Sequence, residues 1–106
     1  MKKNPKKSQK TLKIMVIAGA RPNFMKIAPI LREFKRHPQI TPIIVHTGQH
    51  HDPLMSDTFF KSLGIPSPHY NFRGVSASAT TFIGNTIVEL DRLYAKERPD
   101  IVLVPG

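Results

Sequence analysis

Apolar and polar positions fall into blocks whose spacing changes along the chain. Ile14, Met15, Val16 and Ile17 form an unbroken apolar run, the pattern of a strand buried on both faces of a parallel sheet. Phe24, Ile27, Ile30, Leu31 and Phe34 then recur at helical spacing. They predict a helix with one apolar face, closed by the basic Lys35-Arg36-His37 and stopped by Pro38. Pro29 sits inside this pattern and predicts a kink or broken turn near residues 25–28. Ile43, Ile44 and Val45 mark a second strand over Pro42 to Thr47.

Residues 54–63 read as a short helix with Leu54, Met55, Phe59, Phe60 and Leu63 on its apolar face and Gly64 closing it. A turn-rich stretch follows, with a short strand expected at His69–Phe72. A long helix is predicted from Ala79 to Lys96, with Phe82, Ile83, Ile87, Leu90, Leu93 and Tyr94 as its core stripe. Arg98-Pro99-Asp100 turns the chain into Ile101-Val102-Leu103-Val104, a third strand expected to be buried. Strand, helix, strand, helix, strand with connections of this length implies an α/β parallel sheet with right-handed crossovers.

The first strand runs directly into Gly19-Ala20-Arg21-Pro22. Glycine lets the chain turn tightly and leaves room for a ligand. Pro22 suits a first helical turn, and the N–H groups and positive dipole end of that helix attract anions. Arg21 adds a planar two-pronged phosphate donor, and Lys26 a further positive charge on the same helix. The bland alternative is that both are solvated charges. Neither the glycine fingerprint of dinucleotide folds nor the Gly-Lys-Ser/Thr of a P-loop is present. The second strand also ends in a polar loop, Thr47-Gly48-Gln49-His50-His51-Asp52, so two such loops are expected on the rim where ligands collect in open α/β sheets.

Composition narrows the partners. The 106 residues suit one domain at most, and the net charge is +9. Six lysines (Lys2, Lys3, Lys6, Lys7, Lys10 and Lys13) lie in the first thirteen residues, which carry no acidic residue. Subtracting them from 16 Lys+Arg leaves 10 against 7 Asp+Glu, or +3 for the remainder. A solvated, disordered leader over residues 1–12 is the expectation, and the mildly basic remainder argues against a nucleic-acid partner. No run approaches the ~20 apolar residues of a membrane span, and the leader lacks a secretory apolar region. Absence of cysteine removes thiolate chemistry and fits a cytoplasmic protein.

His46, His50, His51 and Asp52 are close enough to raise a metal site, but no helical pair presents two ligands on one face, and no metal is expected. Ser56, His51 and Asp57 lack the Gly-x-Ser-x-Gly elbow of a nucleophile. Phe59, Phe60, Phe72 and Phe82 are expected in the core, because no basic residues interleave them as a base-stacking platform requires.

The run Gly19-Ala20-Arg21-Pro22-Asn23-Phe24-Met25-Lys26-Ile27-Ala28-Pro29 resembles the opening motif of the non-hydrolysing UDP-N-acetylglucosamine 2-epimerases. The likeness continues through Thr47-Gly48-Gln49-His50, Met55-Ser56-Asp57, Phe59-Phe60, Leu63-Gly64-Ile65-Pro66, Tyr70-Asn71 and Arg98-Pro99-Asp100-Ile101-Val102-Leu103-Val104. It implies a Rossmann-like sheet forming part of the first domain of a two-domain GT-B fold, spanning residues 13–106. The implied reaction interconverts UDP-N-acetylglucosamine and UDP-N-acetylmannosamine by eliminating UDP and returning it, without a cofactor. By the same likeness Arg21 and Lys26 belong to the substrate site, and Gln49 and His50 to a loop contacting a second, regulatory UDP-N-acetylglucosamine. Family members continue with an aspartate after the glycine equivalent to Gly106, and their proton-transfer residues lie further on. The expectation is therefore a truncated fragment, inactive alone, with a homodimer or a missing carboxyl-terminal part as candidate partners. A non-catalytic module binding nucleotide sugar, or nucleic acid through the basic tail, is the alternative. His69 stands where the family commonly has aspartate, and residues 73–84 depart from its pattern.

Overall fold

The computed structural model describes residues 11–48, 57–72 and 78–105. Its most apolar run becomes the central strand β1 (Leu12–Ala18), which pairs in parallel with β2 (Ile40–His46) on one side and β4 (Ile101–Leu103) on the other. A short β3 (Tyr70–Asn71) continues the sheet beyond β2, giving the order β3-β2-β1-β4 with every pair parallel. Helices α1 (Arg21–Phe34), α2 (Asp57–Ser62) and α3 (Ala79–Glu97) complete the chain order. The α/β parallel-sheet expectation holds.

Alternation along β1 feeds two cores. Ile14, Val16 and Ala18 meet Phe24, Ile27, Ala28 and Leu31 of α1 on one face, together with Ile44, Phe60 and Ile65. Met15 and Ile17 meet Ile43, Val45 and Leu93 on the other. Met15, Val16, Phe24 and Val45 are completely buried, and each such side chain contributes roughly 1.5–3 kcal/mol by leaving water.

Pro42 is accommodated inside β2 because of where its nitrogen points. Ile44 donates its N–H to His69 Nδ1 at 2.9 Å and accepts from His69 N–H at 2.8 Å. Pro42, two residues earlier, faces the same way, below the start of β3, where no ladder bond is lost. His69 thus supplies an acceptor to the sheet edge, a task a carboxylate can also perform.

Four expectations change. β1 begins at Leu12, whose N–H donates to Gln39 O at 2.6 Å, one residue inside the span expected for a leader; residues 1–10 lie outside the described residues. Helix α1 runs unbroken from Arg21 through Pro29 to Phe34. Pro29 and Met25, whose carbonyl loses its i+4 partner, are both exposed, so water can take the vacated bond.

The expected core stripe of α3 is only half used. Leu93 is buried and Leu90 packs beside it, but Ile83, Ile87 and Tyr94 are 55%, 61% and 38% exposed. The face turned to the sheet runs instead through Phe82, Thr86, Leu90, Leu93 and Glu97. β4, expected to be buried, is an edge strand with Ile101, Val102 and the adjoining Val104 exposed. Both differences have one cause: among the described residues nothing pairs with the outer side of β4 or covers that flank of α3.

Candidate functional site

With every strand parallel, the carboxyl ends of β1, β2 and β3 open on one edge. Thr47 N–H donates to Ala18 O and Phe72 N–H to His46 O, each at 2.9 Å, which stitches the three exits together. The β1–α1 turn and the Thr47-Gly48 segment are therefore neighbours on this rim, as the sequence predicts.

The turn is shaped by a residue whose role the sequence reading missed. Asn23 Oδ1 accepts from the N–H groups of both Gly19 and Ala20, each at 3.1 Å. These two donors, just ahead of the helix, are satisfied within the turn. The signal was available: an amide at the third position of a helix reaches back to the cap, as in a capping box. Ala20 has no side chain with which to cap α1, and no acidic residue lies in the first turn, so the dipole end keeps its positive character. Pro22 takes its expected place in that turn.

Arg21 opens α1, half-buried, with its guanidinium 5.0 Å from the centroid of the Phe59 ring. The ring belongs to α2 and to a chain of edge-to-face contacts: Phe59 to Phe60 at 5.4 Å, Phe60 to Phe24 at 5.1 Å, and Phe24 to His46 at 5.1 Å. Cation–π stacking fixes the plane of the guanidinium. Phe59 and Phe60 were expected as core; Phe60 is buried, and Phe59 also serves as a platform for Arg21. Helix α2 is fixed against α1 by Arg32 Nη1 donating to Leu63 O at 2.5 Å and Lys35 Nζ donating to Gly64 O at 3.2 Å.

Lys26 is exposed on α1. It sits about 7.5 Å further along the axis than Arg21 and about 140° around it, so the two cations do not share one face. Gln49 and His50 lie outside the described residues, as do His51, Asp52 and Ser56. His46, grouped with them as a metal ligand in the sequence, is 6% exposed and accepts the Gly48 N–H at Nδ1 over 2.9 Å. Burial holds its pKa below the usual histidine value.

The amino edge of the sheet carries a cavity of about 400 Å³ lined by Lys13, Thr41, Pro42, Ile43, His69, Tyr70 and Glu97. Its charged groups already serve one another. Lys13 Nζ donates to Glu97 O at 2.8 Å and pairs with Glu97 Oε1 at 3.4 Å, while Tyr70 Oη donates to the Glu97 carboxylate. Lys13 N–H also donates to Asp100 Oδ2 at 2.8 Å, and Asp100 N–H returns a bond to Lys13 O. This clasp fastens the end of α3 to the start of β1, and it lies at the opposite end of the strands from the rim.

A parallel α/β sheet with an arginine seated at the first strand–helix turn defines the class: a doubly wound domain whose working edge is the carboxyl rim. The sequence profile described as UDP-N-acetylglucosamine 2-epimerase matches residues 32–106, and the chain belongs to that family. A UDP-N-acetylglucosamine 2-epimerase homolog of Methanococcus maripaludis is 44% identical over 95 residues, covering 90% of this chain and 26% of that protein. The UDP-2,3-diacetamido-2,3-dideoxy-D-glucuronate 2-epimerase of Pseudomonas aeruginosa is 39% identical over 95 residues, covering 90% of this chain and 27% of that protein. Among solved structures, the Methanocaldococcus jannaschii UDP-GlcNAc 2-epimerase in complex with UDP-GlcNAc and UDP superposes with a TM-score of 0.81 at 35% identity. That match covers 90% of this chain and 26% of that one. The Rickettsia bellii UDP-N-acetylglucosamine 2-epimerase gives 0.74 at 35% identity, covering 91% of this chain and 25% of that one. The fold is thus the Rossmann-like sheet of the GT-B epimerases, and the chain spans about a quarter of the length of the curated relatives it matches.

Proposed function

We propose that this chain contributes the first substrate-binding segment of a UDP-N-acetylglucosamine 2-epimerase. The observation that carries the reading is its 0.81 superposition on an epimerase in complex with UDP-GlcNAc and UDP, at 35% identity over 90% of the chain. In this reading Arg21, backed by Phe59, meets the diphosphate, while Lys26, on another face of α1, adds positive charge only at longer range. Gln49 and His50 belong to the neighbouring loop that meets a second, regulatory UDP-N-acetylglucosamine.

The reaction removes the proton at carbon 2 of the sugar as UDP departs from carbon 1, leaving a glycal. UDP then returns while carbon 2 is reprotonated on the opposite face. Departing diphosphate gathers negative charge, which a fixed guanidinium and the positive end of α1 stabilise more in the transition state than in the bound substrate. Proton transfer at carbon 2 is assigned to other residues of the family fold, and the part assigned to this segment is binding. The cysteine-free composition agrees with a reducing compartment, and we assign the reaction to the cytoplasm. A second copy of the protein is the proposed protein partner.

The Pseudomonas aeruginosa enzyme, at 39% identity, falls between the 44% of the Methanococcus maripaludis homolog and the 35% of the Methanocaldococcus jannaschii epimerase, and it supports a second reading in which the sugar is a diacetamido uronate. Calorimetric titration with both UDP sugars separates the two. Binding of either, weakened at least tenfold by Arg21→Ala, supports the site, and the tighter ligand names the sugar. Equal binding of UDP sugars by the chain and by Arg21→Ala removes Arg21 from it.

A further inference from the structure

His46 is a buried titratable side chain to which the proposed reaction gives no task. It occupies a core position on the α1 face, two residues after Ile44. An aliphatic side chain would pack there without the desolvation that burial imposes on an imidazole. What histidine adds is a specific acceptor. The last ladder bond of this strand exit is Thr47 N–H to Ala18 O. One residue later Gly48 adopts a φ of +78°, leaves the ladder, and needs a partner for its N–H. His46 Nδ1 provides it at 2.9 Å. A nitrogen that accepts has no proton, so the neutral ring carries its proton on Nε2. The same ring stands edge-to-face against Phe24, with centroids 5.1 Å apart.

We propose that His46 is a positioning residue: a neutral Nε2–H imidazole that sets the spacing between the first turns of α1, at Phe24, and the Thr47–Gly48 segment, holding Gly48 through Nδ1 and bracing Phe24 through its ring. That this spacing serves a nucleotide sugar rests on the function proposed above; the pinning of Gly48 does not.

The test uses the full 106-residue chain and two variants. His46→Phe keeps a ring against Phe24 but loses the acceptor. His46→Asn loses the ring but can return an acceptor to the N–H two residues on, in the manner of an Asx turn. Imidazole nitrogen shifts of the unaltered chain should report the Nε2–H tautomer. Amide exchange at Gly48 should quicken about tenfold in His46→Phe, the order one hydrogen bond supplies, and recover most of its protection in His46→Asn. UDP-N-acetylglucosamine affinity should follow the same order. An Nδ1–H tautomer in the unaltered chain, or unchanged Gly48 exchange in His46→Phe, overturns the proposal. Failure of the unaltered chain to bind UDP-N-acetylglucosamine would instead count against the nucleotide-sugar reading, with Gly48 exchange still deciding the pinning.

Discussion

The guanidinium of Arg21 and the ring of Phe59 lie 5.0 Å apart, joining the first residue of α1 to the short helix α2. The cation proposed to meet the diphosphate is therefore held by an element some forty residues further along the chain. A contact of this kind is worth roughly 0.5–2 kcal/mol, enough to bias a long side chain toward one orientation.

Replacing Phe59 with leucine keeps much of the apolar volume and removes the ring. UDP-N-acetylglucosamine should then bind roughly 2–30-fold more weakly, following that energy, while the unfolding midpoint falls only modestly. Arg21→Lys should cost at least as much, because an ammonium offers neither the plane nor the fork. Calorimetric titration of the three proteins checks the order.

Asn23 Oδ1 holds the N–H groups of Gly19 and Ala20. Asn23→Ala should leave both without that acceptor inside a partly buried turn and destabilise the chain by about 1–2 kcal/mol. Urea denaturation followed by circular dichroism measures it. Asn23→Asp, which keeps an acceptor and adds negative charge at the helix start, should recover most of the loss and yet weaken anion binding.

Acid should loosen the fold in two stages of known sign. Burial lowers the folded-state pKa of His46. Its contribution is fully present above the unfolded value of about 6.5, and it is lost as pH falls from there toward the lowered folded value, because only the unfolded chain takes up the proton. Glu97 is also lowered, chiefly by the hydrogen bond from Tyr70, with burial opposing it and Lys13 and Lys96 adding to the lowering. Its contribution disappears as pH drops below about 4.3. Melting curves against pH should show both stages in the unaltered chain. His46→Phe should lack the upper stage and Tyr70→Phe should reduce the lower.

The exposed flank of α3 and the edge of β4 predict association. Ile87 is 61% and Val104 64% exposed, and an open strand edge beside apolar side chains is a template for further pairing. Light scattering of the chain should rise with concentration. Ile87→Glu and Val104→Lys together should suppress the rise while moving the melting temperature by only a few degrees, as surface substitutions do.

Sequence pattern made much of this legible, and its failures share a physical origin. The parallel sheet follows from unbroken apolar runs such as Met15-Val16-Ile17, which need cover on both faces. Helix α1 and its seat for Pro22 follow from periodicity and the fixed φ of proline. Ile83, Ile87, Val102 and Val104 misled because periodicity reports that a face is apolar, not whether a neighbour covers it. Asn23 and Phe59 were hidden because their roles depend on contacts across a turn and across two helices. His46 was visible as a residue type, yet its task depends on one backbone N–H that leaves the ladder at Gly48.

The carboxyl rim at the β1–α1 turn is proposed to read a UDP sugar. The most direct measurement is a titration of the isotope-labelled chain with UDP-N-acetylglucosamine, mapped residue by residue by nuclear magnetic resonance. Saturable shifts centred on Gly19, Ala20, Arg21 and Thr47-Gly48, abolished by Arg21→Ala, are the predicted result. Shifts confined to Lys13, Tyr70 and Glu97 at the amino edge, or no saturable shift at all, would contradict it.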